Sequence, residues 1–281
     1  MRTRYRIEHR SRYEYDRNVG ASFNEARLTP MQTPWQTRLE STIAIDPMTW
    51  SYRYTDYWGS EVRVFEADRP HRSLEVRATS LVELDPGRRP PAGAVGWADL
   101  HTDVVRDRFA EFLVQRPATE PPPELAERAR ELAGRLDPAP AARAIGEAVH
   151  EAVSYRTGVT AVHTTAIEAW DERSGVCQDY AHLVVGALRH VGVPARYTSG
   201  YLYPQTNPQV GDSTRGESHP WVEFWSGEWA PHDPTNLAEV GDRHVTIGTG
   251  RDYNDVPPIK GIVAGSHETT LTVKVELTRV A

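Results

Sequence analysis

Period-two alternation governs the first 85 residues and limits what this chain can fold into. Apolar side chains fall at Tyr5, Ile7, Tyr13 and Tyr15, then at Leu39, Ile43 and Ile45, at Trp50, Tyr52 and Tyr54, at Val62 and Val64, and at Leu74 and Val76. Successive side chains of a strand point to opposite faces, so each run buries one face and wets the other. Asp46-Pro47 and Trp58-Gly59 supply turns between runs. The pattern predicts an antiparallel β domain over residues 1–85. Arg2, Arg4, Arg6, Arg10 and Arg12 occupy the alternate positions of the first run and read as its solvated face.

Beyond residue 122 the spacing changes. Leu125, Ala129, Leu132 and Leu136 mark one helix, and Ile145, Ala148, Val149, Ala152 and Val153 a second. A third begins near Cys177, carries the stripe Tyr180, Ala181, Val184 and Leu188, and stops where Gly192 offers a C-terminal cap and Pro194 bars continuation. Strand composition returns over 195–203, 221–225, 228–232, 243–247 and 271–277. Helices followed by an antiparallel sheet give an α+β core over residues 123–281. Between the two parts, residues 86–122 are rich in Pro, Gly and Arg, with a short helical insert at 97–114. They are expected to be a connection outside the core and more exposed than either flank.

A length of 281 residues with 39% hydrophobic content supports a real core. The net charge of −7 opposes a phosphate-backbone partner, so no nucleic acid is expected. The N-terminus lacks the apolar stretch of a secretory signal, and no run approaches the roughly 18 apolar residues of a membrane span. The expected location is cytoplasmic, with no membrane partner. Nothing in the sequence sets an oligomeric state.

Cys177 is the single cysteine, which excludes an internal disulfide and suits a reducing compartment. A lone cysteine is more often a small core hydrophobe than a nucleophile. Its context argues otherwise: a thiol at a helix N-terminus lies against the positive end of the macrodipole, which favours the thiolate. His219 and Asp233 follow in the order base and base-orienter, completing the parts of covalent acyl transfer.

Residues 221–232 read as a hairpin around Ser226-Gly227, and its loop length decides whether His219 and Asp233 can meet. A two-residue loop sets Asp233 opposite Pro220, on the wrong face. A three-residue loop, 226–228, sets it opposite Trp221, one diagonal step from His219 and on the same face. The triad therefore requires the longer loop or a bulge. Pro220 cannot donate to a ladder and is expected at an edge or an irregular strand start. The Cys177 backbone N–H is the expected oxyanion donor. Gln178 points about 100° away on the helix and is expected to be structural. HExxH, CxxC and HxH spacings are all absent, so no metal and no cofactor are expected. His182 is expected in the core or behind the site, and His163, His190, His232 and His244 in surface or structural roles. Trp170, Tyr180, Tyr197, Tyr201, Trp221, Trp225 and Trp229 crowd the same region, as core or as the wall of a groove.

The run from Gly175 to His182, the run from Gly192 to Tyr201, Ser218-His219 with Trp221-Val222-Glu223, Asp233 to Asn236, and Gly250 to Pro258 together resemble the bacterial transglutaminase-like superfamily. Residues 1–85, with His9, Leu28, Pro30 and Asp56-Tyr57-Trp58-Gly59, are similar to that family's N-terminal β region. The resemblance implies a papain-like α+β core, with Cys177, His219 and Asp233 as catalytic triad. It also implies a cysteine peptidase or amidase acting on a peptide or protein substrate. Pro220, where alanine is usual, and Ser60, where asparagine is usual, depart from the family pattern, and the papain signature CGSCW is absent. Transamidation by an amine acceptor and a catalytically idle peptide-binding module are the alternatives.

Overall fold

Alternation becomes burial in the first strand, β1 (Thr3–Val19), where Thr3, Tyr5, Ile7, His9 and Ser11 are buried and the arginines between them are not. The computed structural model describes residues 2–265 and 268–281. Five further strands follow: β2 (Ser22–Ala26), β3 (Gln36–Asp46), β4 (Trp50–Thr55), β5 (Glu61–Ala67) and β6 (His71–Leu84). After short helices α1 (Trp97–Leu100) and α2 (Asp103–Arg108) come α3 (Pro123–Ala133), α4 (Pro138–Ala152), β7 (Ser154–Tyr155), α5 (Ala166–Asp171), β8 (Ser174–Gly175) and α6 (Cys177–His190). Strands β9 (Ala195–Leu202), β10 (Ser213–Trp225), β11 (Trp229–His232), β12 (His244–Gly250), β13 (Ile259–Val263) and β14 (Thr269–Arg279) complete the described chain.

Eight of these strands form one sheet in the order β12-β9-β10-β14-β1-β6-β3, with β11 paired to β10. A second sheet runs β13-β2-β5-β4. Every pairing in both sheets is antiparallel. The last strand, β14, lies between β1 and β10, and β13 adds to β2. The chain after residue 258 thus returns to the strands of the first 85 residues. Helix α6 packs between α4 and the sheet, and Leu183, Val184, Val185 and Leu188 on it are fully buried.

Residues 86–122 are on the whole more exposed than either flank, as expected, but they do not lie outside the core. Leu100, Val105 and Phe109 belong to the main core, and Phe109 packs against Trp225 and Trp229 at centroid distances of 4.8 and 5.5 Å. Gly93 lies so close to the Ser226-Gly227 turn that a Cβ would strike its backbone. Helices of four and six residues are too short to display a 3.6-residue period, which is why the packing is hidden in the sequence. Among the described residues no helix is long and apolar enough to cross a membrane.

Three buried histidines make the fold acid-sensitive. His9 shares hydrogen bonds of 2.9 Å with the Tyr201 hydroxyl and with Ser11 Oγ. His182 Nε2 accepts from the Tyr253 N–H at 3.1 Å, and His232 abuts α4 where Gly146 leaves room for the ring. Burial lowers each from 6.5 to about 4. The unfolded chain therefore takes up protons first, so stability is complete above pH 6.5 and is lost as the pH falls towards 4. With three such sites, urea unfolding should lose stability at up to about 4 kcal/mol per pH unit within that window. A flat profile between pH 6.5 and 4.5 would refute it.

Candidate active site

Cys177 occupies the first position of α6, as its sequence context predicts. The start of that helix is held by Asp179, whose carboxylate folds back to accept from the Val176 N–H and the Thr160 hydroxyl, both at 2.7 Å. Burial raises the Asp179 pKa against these two hydrogen bonds. Gly175 is needed beneath it, because a Cβ there would lie 2.6 Å from the carboxylate. The helix ends as expected, with Gly192 at φ +81° and the Val193 N–H donating to the Leu188 carbonyl at 3.0 Å.

His219 lies on β10 opposite Gly200 of β9. A Cβ at position 200 would come within 2.6 Å of the Trp221 indole, so glycine leaves space for the ring that stacks beside His219 at a centroid distance of 6.5 Å. Strand β10 pairs with β14 over 213–216 and with β11 over 222–225. Pro220 falls in the gap between, where β10 pairs with β9 alone, a position that suits a residue without an N–H. The same gap opens the cleft in front of His219.

The hairpin has the longer loop: Trp225 pairs with Trp229 and Val222 with His232, leaving 226–228 as the turn, with Gly227 at φ +100°. His219 Nε2 accordingly donates to Asp233 Oδ2 at 2.8 Å. Asp233 is fully buried, and Pro234-Thr235-Asn236 wraps around it. Its Oδ1 accepts from the backbone N–H groups of Thr235 (3.0 Å) and Asn236 (3.2 Å), and its Oδ2 also accepts from Asn236 Nδ2 at 3.0 Å. Burial alone pushes this carboxyl up, but the donors, led by His219 and His244, hold it well below the usual carboxylate range. With Nε2 committed to Asp233, Nδ1 is the ring nitrogen left to act in the cleft.

Cys177 and His219 line one cleft of about 420 Å³, together with Tyr155, Leu202, Arg215 and Asn236. None of the seven crowding aromatics named from the sequence lines it. Gln178 donates its amide to the Val162 carbonyl at 3.1 Å, which matches a structural role. His182, on α6 itself, is buried, and His163 and His190 are exposed. Asn236 and His244 were not anticipated at the site: the first grips Asp233, and the second brings Nε2 to 3.6 Å from Asp233 Oδ2. An Asn three residues after an Asp in a turn was a readable signal. His244 reaches the site only through β12 pairing with β9, which no local spacing encodes.

Gly250 to Pro258 proves to be a brace. Arg251 grips Asp255 at 2.9 and 3.0 Å and lies 5.0 Å over the Trp58 ring, while buried Asp252 accepts from Arg116 at 2.5 Å. It ties the N-terminal strands to α6 through the Tyr253–His182 bond.

Residues 5–83 match the bacterial transglutaminase-like N-terminal region and residues 126–234 the transglutaminase-like superfamily. The chain belongs to the transglutaminase-like superfamily. An uncharacterized protein of Mycobacterium leprae is 40% identical over 99% of each chain. A protein-glutamine gamma-glutamyltransferase of Pseudomonas aeruginosa is 34% identical over 93 residues, which is 31% of this chain and 14% of that protein. In fold, the chain is similar to a proposed cysteine protease from Cytophaga hutchinsonii, with a TM-score of 0.78 and 22% identity over all of this chain and 92% of the other. The α+β transglutaminase-like core and the N-terminal strands expected from the sequence are thus those of the family.

Proposed function

We propose that this chain is an enzyme of cysteine-dependent acyl transfer that hydrolyses peptide or isopeptide amides through a Cys177-His219-Asp233 triad. The observation carrying the proposal is the 2.8 Å bond from His219 Nε2 to buried Asp233, at a cleft shared with a thiol on the first turn of α6. Cys177 Sγ gives up its proton to His219 Nδ1 and attacks the acyl carbon. The tetrahedral oxyanion takes the helix-start N–H of Cys177 as donor, and His219 returns the proton to the departing amine as the C–N bond breaks. Water then adds to the thioester, and the acid leaves with the thiol restored. The proposed substrate is a peptide or protein segment, and the proposed setting is cytoplasmic, where a lone thiol stays reduced.

Transfer to an amine is the second reading, favoured by the similarity to a gamma-glutamyltransferase over 93 residues. The two differ only in the acceptor: product from a glutaminyl peptide would carry the amine in transfer and a carboxylate in hydrolysis, which mass spectrometry separates.

The thiol itself is testable without a substrate. Iodoacetamide should alkylate Cys177 with a rate inflection below the free-cysteine value of about 8.5, lower by about 2 units or more. An inflection no lower than free cysteine would remove the activated nucleophile.

A further inference from the structure

We propose that His244 is a positioning residue for the His219–Asp233 pair, a neutral imidazole whose Nε2–H points at Asp233 Oδ2 and takes a share of its charge. His244 Nε2 lies 3.6 Å from that oxygen, with the His244 side chain 1% exposed. The Gly241 N–H is directed at His244 Nδ1 at 3.4 Å, so the lone pair lies at Nδ1 and the proton at Nε2. Among the described residues that buried N–H has no closer acceptor, and Trp221 holds the ring edge-on at 5.3 Å and 83°. At 3.6 Å the contact is long for a hydrogen bond and acts as a charge–dipole attraction across a dry interior. The titratable and charged groups around the pair are Asp233 and His219 themselves, Cys177, Arg215 and Tyr155 lining the cleft, His232 preceding Asp233, and Arg243 preceding His244.

A divalent cation is the competing occupant, because His219, Asp233 and His244 each bring one ligand atom within 4.8 Å of the others. The surroundings oppose it. A metal on His244 Nε2 would move the ring proton to Nδ1, against the Gly241 N–H. Oδ2 is already approached by the Asn236 amide as well as by His219. A carboxylate ringed by N–H groups is built to stay an anion.

The consequence falls on His219. Each donor that stabilises the Asp233 charge makes the carboxylate a weaker partner for the imidazolium. His244 therefore keeps the His219 proton exchangeable instead of locked to Asp233, as a base that must also return its proton requires.

The test separates the donor from the ring. His244→Phe keeps the volume and the Trp221 contact and lacks the N–H, whereas His244→Gln keeps an N–H and lacks the ring. His219 is followed by ¹⁵N-histidine NMR titration of the full chain, its signal assigned by loss in His219→Gln. In His244→Phe the His219 midpoint should rise by about one pH unit, a tenfold tighter proton, and in His244→Gln it should stay within about 0.3 of wild type. An unchanged or lowered midpoint in His244→Phe, or an equal rise in both variants, overturns the assignment. If His244→Phe does not fold, His244→Leu carries the same comparison. Zinc added to the wild-type chain should leave both imidazole signals in place, and movement of both would put a cation there instead. The inference rests on His219 as the base, but the titration needs no turnover. An inert thiol with a shifted midpoint removes the enzyme reading and leaves His244 in its role, and active enzyme without the shift does the reverse.

Discussion

Cys177→Ala is expected to lower turnover on the order of 10⁵-fold or more, His219→Ala nearly as far, and Asp233→Asn on the order of 10² to 10⁴. The first two remove the attacking atom and the group that both activates it and protonates the leaving amine. The third effect follows from the donors around Asp233. An asparagine there best places its oxygen at Oδ1, where two backbone N–H groups converge, and so turns its NH₂ towards His219 Nε2 and Asn236 Nδ2. His219 can accept from that NH₂ only by moving its own proton to Nδ1, where it faces the cleft and cannot accept the thiol proton. Rates with a cleaved peptide, measured alongside thermal melts, check the order. Wild-type turnover in Asp233→Asn would remove the carboxylate from the mechanism.

The meeting of His219 and Asp233 could be derived from sequence because a hairpin is a short-range object. Once 226–228 is the loop, the two-residue period puts both side chains on one face. Helix α6 was readable for the same reason, since the turn before Cys177, the stripe along it and Gly192 after it are all local. The first six strands declared themselves through alternation.

Long-range placement was hidden. That β14 pairs with β1 as well as β10, and that β13 adds to β2, depends on pairings between opposite ends of the chain. The role of His244 is of this kind, as it needs β9 between it and β10. The core contacts of residues 86–122 were hidden for another reason. Their prolines and glycines mark turns between elements too short for periodicity, and what they pack against, the β10–β11 hairpin, lies more than 100 residues on.

Arg189 carries the largest expected effect on stability. It sits near the end of α6, 4% exposed, and its guanidinium donates to the carbonyls of Ala195 (3.1 and 2.9 Å), Arg251 (2.7 Å) and Val114 (3.1 Å). One side chain thus joins the helix to the start of β9, to the Gly250–Pro258 brace and to the 86–122 segment. Burial lowers its pKa to about 10, with Asp252 opposing, so it remains charged at neutral pH. The planar fork matters as much as the charge, since a lysine ammonium cannot reach three carbonyls in different directions. Arg189→Met leaves the buried Ala195 carbonyl and the part-buried Arg251 and Val114 carbonyls without their donor, a loss of about 2 to 4 kcal/mol, out of the roughly 5 to 15 kcal/mol that holds a typical domain folded. Arg189→Lys should recover only a minor part of it. Urea unfolding at pH 7 measures both, and a cost below about 1 kcal/mol for Arg189→Met would mean that water or a local shift satisfies the three carbonyls instead.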